Sequence, residues 1–142
     1  MSLAMNQSER DQFLSEVRVG VIAIEQKDAA PLTIPIWYDY SPDIGVWVLS
    51  RAESSKSRCL YTVGRFSLSV QDDTPPLYRY VSVSGAIIET RDADIERDMR
   101  PMARRYFGID DGDAFTAASA EHPNTVFVMR PEKWRTVDYG KS

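Results

Sequence analysis

Histidine and cysteine each occur once in 142 residues, as His122 and Cys59, and these two scarcities remove most catalytic chemistry at the outset. One cysteine excludes an internal disulfide framework, and one cysteine with one histidine cannot supply the ligand spacing of a zinc site. A Ser-His-Asp or Cys-His centre would have to use His122, which stands before Pro123 in a polar stretch without a supporting motif and reads as a solvated loop residue. No apolar run approaches the roughly 20 residues that span a bilayer. Glycine-rich phosphate fingerprints of the form G-x-G-x-x-G or G-x-x-x-x-G-K-[ST] are missing. A net charge of −4 provides no broad basic field for nucleic acid or an anionic membrane. The acidic runs Asp72-Asp73 and Asp110-Asp111-Gly112-Asp113 lack the rest of a calcium-loop register, and the second reads as a helix-capping turn, so no metal is expected. The start "MSLAMN" has neither a basic leader nor a hydrophobic core, so the cytoplasm is the expected compartment. Residues 1–6 are expected to be tag-derived or disordered and to lie outside the fold.

What is present is enough apolar material, 43% of the chain, for one core and one domain spanning residues 1–142. Ser8 to Glu16, with Phe13 and Leu14 among polar residues, predicts a short amphipathic helix capped by Ser8. Alternating or β-branched runs predict strands over Val17 to Ile24, Leu32 to Tyr40, Val46 to Ser50, Phe66 to Val70, Tyr78 to Glu89, Thr125 to Met129 and Trp134 to Tyr139. Pro35, in the middle of the second run, cannot donate to a ladder and marks an edge, a bulge or a ligand's approach. Gly85 leaves room for a bulge or a close neighbour. Helical spacing returns between Asp92 and Phe107, interrupted by Pro101 and stopped at Gly108, and a further short helix is expected over Asp113 to Ala120. Short strands at hairpin spacing with inserted helices favour a β-rich α+β fold, an antiparallel barrel of about six or seven strands, over a parallel sheet.

One stretch departs from the acidic average. "SRAESSKSRCL", Ser50 to Leu60, gathers Arg51, Lys56 and Arg58 with four serines directly after the apolar run "GVWVL". Ser54 and Ser55 at a helix start would offer hydroxyls and free backbone N–H groups, the helix dipole favours an anion, and Arg51 and Lys56 would add charge. Residues two apart on a helix do not share a face, so Lys56 ranks above Arg58. Spacing alone still favours a solvated basic helix start with an ordinary serine cap.

The segments "GVIAI", "PLTIPIWYDY", "GVWVLS", "SSKSRCL", "RFSLSV" and "YVSVSGAIIE", in this order, and the closing "VFVMRPEKWRTVDYGK" resemble the pyridoxamine 5′-phosphate oxidase-like superfamily of flavin-binding split β-barrels, in particular its small actinobacterial-type members, some of which use the deazaflavin F420. The likeness covers Phe13 to Lys141. In the oxidases a segment T-N-Y-x-S-R-K-x-x-x-L binds the FMN phosphate; Ser50, Ser54, Lys56 and Leu60 stand at its Thr, Ser, Lys and Leu, while Ser55 replaces the Arg. The strand corresponding to "LTIPIWYDY" lacks the oxidases' two cations, and no C-terminal substrate motif of the oxidases is present. The resemblance therefore implies a relative that binds FMN or F420 and moves a hydride to or from a small organic substrate, not the oxidase itself. It implies cofactor binding by Ser50, Arg51, Ser54, Ser55, Lys56 and Arg58, a ring wall from Pro35, Ile36 and Trp37, and a homodimer with the cofactor near the subunit interface. Tyr78 and Tyr80 could border the pocket, although sheet-face tyrosines describe them more simply, and Trp134 and Tyr139 would arrive from a second subunit. Arg100, Arg104 and Arg105 offer a strip for the acidic tail of F420, although a solvated helix face describes them more simply. A different class of function, nonenzymatic sequestration of a flavin or haem, is also compatible with this barrel.

Overall fold

The computed structural model describes residues 2–141. Among them are eight strands: β1 (Gly20–Ile24), β2 (Leu32–Ile36), β3 (Tyr38–Ser41), β4 (Gly45–Arg51), β5 (Arg65–Asp72), β6 (Arg79–Asp92), β7 (Asn124–Met129) and β8 (Lys133–Asp138). Four α-helices accompany them: α1 (Gln7–Ser15), α2 (Ser55–Val63), α3 (Arg100–Phe107) and α4 (Ile109–Ser119). All strand pairings are antiparallel, in the order β2-β1-β5-β6-β7-β4-β3, with β8 added alongside β6. The first and last strands of that path are joined by one residue, Trp37. Two edges tied by a single residue must lie together, so the sheet curls into a barrel closed there by the chain instead of by a ladder; it is a split barrel of antiparallel strands. Inside it, Ile22, Val48, Leu68, Val81 and Phe127 are buried in one cluster, capped by Phe13 and Leu14 of α1. Alternate residues of each strand face outward, as the two-residue period requires.

Strand β6 serves both halves of the barrel. Residues 79–86 pair with β5, and a register shift between Ile87 and Glu89 then turns the strand so that 87–92 pair with β7. A bulge of this kind bends a strand and lets one long element form a barrel corner. On its other edge β8 and β7 lie end to end, both against β6, so the two closing strands do not pair with each other as a hairpin. The connecting residues hug β6: the Arg130 amide donates to Ala86 O at 3.0 Å and the Glu132 amide to Ser84 O at 2.8 Å. A Cβ on Gly85 would stand 1.8 Å from the Arg130 carbonyl oxygen, which is why that position is glycine.

Several expectations are corrected by tertiary contacts. Residues 3–6 belong to the fold: Leu3 O accepts from the Asp138 amide, Met5 is buried, and Asn6, not Ser8, caps α1 in a reciprocal capping box with Glu9. The run Leu32 to Tyr40 is two strands, because the chain leaves β1 for β4 at Trp37. Pro35 sits on the edge strand β2, opposite Val21, where its missing N–H costs no ladder bond. The interruption at Pro101 is a π-helical turn over Ile95–Met99 followed by α3, and the last helix starts four residues earlier than expected, at Ile109. Within the π-turn Asp98, 2% exposed, pairs with Arg91 at 2.6 Å and accepts from the Asp94 amide.

Tyr38, fully buried, donates to the Leu14 carbonyl, and burial pushes its phenol up to about 12. The native state thus holds this proton more tightly than the unfolded chain, whose tyrosines titrate near 10. The associated stability is complete below pH 10 and is lost as pH rises toward 12, on the order of 2–3 kcal/mol in all. Denaturant midpoints measured from pH 9 to 11.5 should fall with pH. Tyr38→Phe should flatten that slope, and adding Tyr40→Phe, whose phenol is also pushed to about 12 by burial and by Asp11, should flatten it further. A slope unchanged in the double variant would refute this assignment.

Candidate functional site

Strand β4 ends and α2 begins in a turn knotted by serines. Ser54 caps the helix, its Oγ accepting from the Ser57 amide at 3.1 Å and donating to Arg51 O at 2.8 Å. Ser57 Oγ donates to the same carbonyl at 2.6 Å, and Ser50 Oγ lies 2.6 Å from Ser57 Oγ and 3.1 Å from Ser54 Oγ. Ser50 is 1% exposed. These three hydroxyls are engaged with one another and with the backbone, so Ser50 does not face a ligand and Ser54 shapes the turn before anything else. Ser57 was the residue missed by sequence reasoning; its signal is its place three residues after the cap, where a capped amide and a buried side chain meet.

Other groups remain for an anion. The Ser55 and Lys56 amides, in the first turn of α2, have no acceptor among the described residues, as helix geometry requires of N-terminal amides. Lys56 is half-buried without a hydrogen-bonding or ionic partner among the described residues, and burial holds its ammonium below the ordinary lysine range. Arg51 is exposed and likewise unpaired. Arg58, in contrast, folds back onto Glu53 O at 2.7 Å and Ser55 Oγ at 3.1 Å, so of the K-x-R pair only Lys56 stands ready. Beside this turn is a cleft of about 470 Å³ lined by Arg51, Glu53, Ser54, His122 and Pro123. His122, expected to be an ordinary loop residue, is exposed on the wall of that cleft, brought there because Arg51 pairs with Asn124 and the Ala52 amide donates to Pro123 O. A wider depression of about 600 Å³ on α1 offers no cation.

The second predicted cluster is at the same end of the barrel, since the pairing of Tyr38 with Val48 sets the β2–β3 joint beside the end of β4. Its side chains are differently committed. Ile36 is 6% exposed and part of the core, so it is no ring wall. Trp37 stacks on Tyr106 at 4.8 Å with 6° between planes, and Phe107 and Phe115 approach at 5.0 and 5.3 Å. It anchors the α3–α4 hairpin, and Pro35 alone of the three is exposed. Tyr78 and Tyr80 flank the start of β6, whereas Asp92 at its far end pairs with Thr125, itself paired with Ser50; one chain does not bring those tyrosines to the turn. Trp134 lies under Arg10, 4.4 Å from ring centroid to guanidinium carbon, opposite Val83 on the early part of β6.

The arginine strip is spent as well. Arg100 pairs with Glu96 and Asp113, Arg104 with Asp113, and these guanidiniums hold the Asp113 carboxyl well below the usual carboxylate range. Arg105 is not a solvated helix residue: it donates to the carbonyls of Tyr38 and Leu14 at 3.0 Å. Among the described residues no group of three His, Cys, Asp or Glu side chains is placed to hold a metal ion, and no helix is long and apolar enough to cross a membrane.

A split barrel whose β4 opens into a helix with an unpaired lysine in its first turn narrows the comparison. The family model described as pyridoxamine 5′-phosphate oxidase matches residues 7–138. The chain belongs to this family. Among solved structures, a conserved hypothetical protein of Mycobacterium tuberculosis shares the oxidase-family fold with a TM-score of 0.76 at 22% identity, covering 96% of this chain and 87% of that one. A protein described as F420 reductase matches with a TM-score of 0.71 at 20% identity, covering 88% and 94%. HutZ, the haem storage protein of Vibrio cholerae, matches with a TM-score of 0.66 at 16% identity, covering 97% and 96%. At such identities the likeness establishes the fold. No curated protein sequence matches the chain.

Proposed function

We propose that this oxidase-family member is a homodimeric flavoprotein that binds FMN or F420 at the β4–α2 turn and transfers a hydride to or from a small organic substrate. The observation that carries the reading is Lys56, half-buried and unpartnered next to two unclaimed amides at a helix N-terminus, in a chain of this family. A buried ammonium without a counter-ion is costly, and a phosphate would relieve that cost. Lys56 and the Ser55 and Lys56 amides would hold the phosphate, with Arg51 adding charge. Ser50, Ser54 and Ser57 keep the turn in the shape that presents those amides. Pro35, exposed on the edge strand at the same end of the barrel, is the residue of the second cluster left to border a ring. The bound flavin supplies the redox chemistry, which fits a chain with no acid-base cluster. Trp134 and Tyr139 would reach the site only from a second copy.

Purified protein titrated separately with FMN and F420, followed by absorbance and fluorescence, should show saturable binding of one of them and reduction of the bound cofactor by an added reductant. Sedimentation should give twice the 16.1 kDa chain mass. Binding of neither cofactor would overturn the reading. A haem-sequestering role is the second reading, favoured by His122 on the cleft wall as an axial ligand. A Soret band that is lost in His122→Ala would select it.

A further inference from the structure

We propose that His122 tunes the charge of the anion cleft: its imidazolium form strengthens, and its neutral form weakens, the hold on a phosphate ester seated between it and Arg51. This rests on the anion-binding reading above but not on the flavin. His122 shares the cleft with Arg51, Ser54 and Glu53. The loop that carries it is pinned on both sides: the His122 amide donates to Ser119 O at 3.0 Å, Asn124 Nδ2 donates to His122 O at 3.0 Å, the Ala52 amide donates to Pro123 O at 3.1 Å and the Ala93 amide to Asn124 O at 2.9 Å. The imidazole is therefore kept at the cleft wall by backbone contacts that do not use its ring nitrogens.

Imidazoles change charge between about pH 5 and 8. The charged groups that share the cleft with it are Arg51 and Glu53, and Glu121 precedes it in the chain. Of these, Arg51 carries a positive charge and Glu53 and Glu121 negative ones. An anion between Arg51 and His122 tips that balance toward the imidazolium. By reciprocity, the factor by which protonation tightens anion binding equals the factor by which the anion favours protonation. For exposed charges the factor is about two- to fivefold.

The chain's single histidine makes the test direct, because its ring resonances need no assignment. The imidazole is titrated by NMR from pH 5 to 8 in the protein alone, with saturating inorganic pyrophosphate, and with saturating FMN. FMN dissociation constants are measured at pH 5.5 and 8 for wild type and His122→Gln, and their ratio cancels the cofactor phosphate's own protonation near pH 6. The midpoint should move up by about 0.3 to 0.7 pH with either anion, and the Gln variant's disadvantage should be about two- to fivefold larger at pH 5.5 than at pH 8. A midpoint moved by pyrophosphate in a protein that binds neither FMN nor F420 supports this inference and overturns the flavin reading. A midpoint unmoved by both anions overturns the inference, whether or not FMN binds elsewhere.

Discussion

Lys56→Ala should weaken binding of the flavin phosphate by about 10- to 100-fold, as expected when a hydrogen bond to a charged group worth about 1.5–3 kcal/mol is removed. The same substitution should leave the melting temperature unchanged or raise it. Lys56 has no counter-ion among the described residues, and burial already disfavours its charged form, so the folded protein alone loses nothing electrostatic when the ammonium goes. Loss of affinity with retained or increased stability is the pattern of a residue kept for a ligand. Lys56→Met, which preserves the apolar stem, separates charge from packing: it should bind as poorly as the alanine variant. Titration calorimetry with FMN and with F420, alongside thermal melts, gives both readouts. Unchanged affinity in both variants would remove Lys56 from the site, and a lowered melting temperature would assign it a structural role.

Gly85→Ala should cost about 3 kcal/mol or more, lowering the melting temperature by roughly 10 °C. The new Cβ would fall 1.8 Å from Arg130 O, 2.9 Å from Arg130 C and 3.3 Å from Glu132 N, all backbone atoms. That segment cannot swing away cheaply, because amides on either side of the approach are bonded to Ala86 O and Ser84 O. Moving it would break both bonds and disturb the end-to-end placement of β7 and β8 on β6. Gly20→Ala is the instructive contrast: its nearest contact, 2.8 Å away, is Leu68 Cδ1, the end of a side chain that can rotate. A cost nearer 1 kcal/mol is expected there. If calorimetry finds the two variants equally stable, the close passage over Gly85 is not what its position enforces.

Features that follow from neighbouring residues were legible in advance. The alternation of Phe66, Leu68 and Val70 with Ser67 and Ser69 marked β5, Ser54 marked the start of α2, and Gly85 signalled a close approach that the Arg130 carbonyl makes. Residue order also ranked Lys56 ahead of Arg58, because the helical repeat separates side chains two residues apart, and Arg58 does fold back onto Glu53 O. The division of Leu32 to Tyr40 was not legible, since periodicity is the same on both sides of Trp37 and only the change of pairing partner ends the strand. Trp37 itself could equally have faced a ligand; Tyr106, Phe107 and Phe115, which claim it, are 69 or more residues away in the chain.

By itself the sequence determined an antiparallel, β-rich fold with a serine-capped helix start after β4, and the order of its segments resembled the pyridoxamine 5′-phosphate oxidase family. The strands and the cap depend on local period, capping chemistry and turn residues, whereas the family likeness rests on the order of matching segments. Tertiary structure alone decided which of these side chains are engaged: it tied Ser50, Ser54 and Ser57 to one another, paired Arg100 and Arg104 with Asp113, left Lys56 without a partner among the described residues and set His122 on the same cleft as Arg51. A side chain's availability depends on which partner comes within about 3 Å of it, and that is fixed by long-range closure of the barrel.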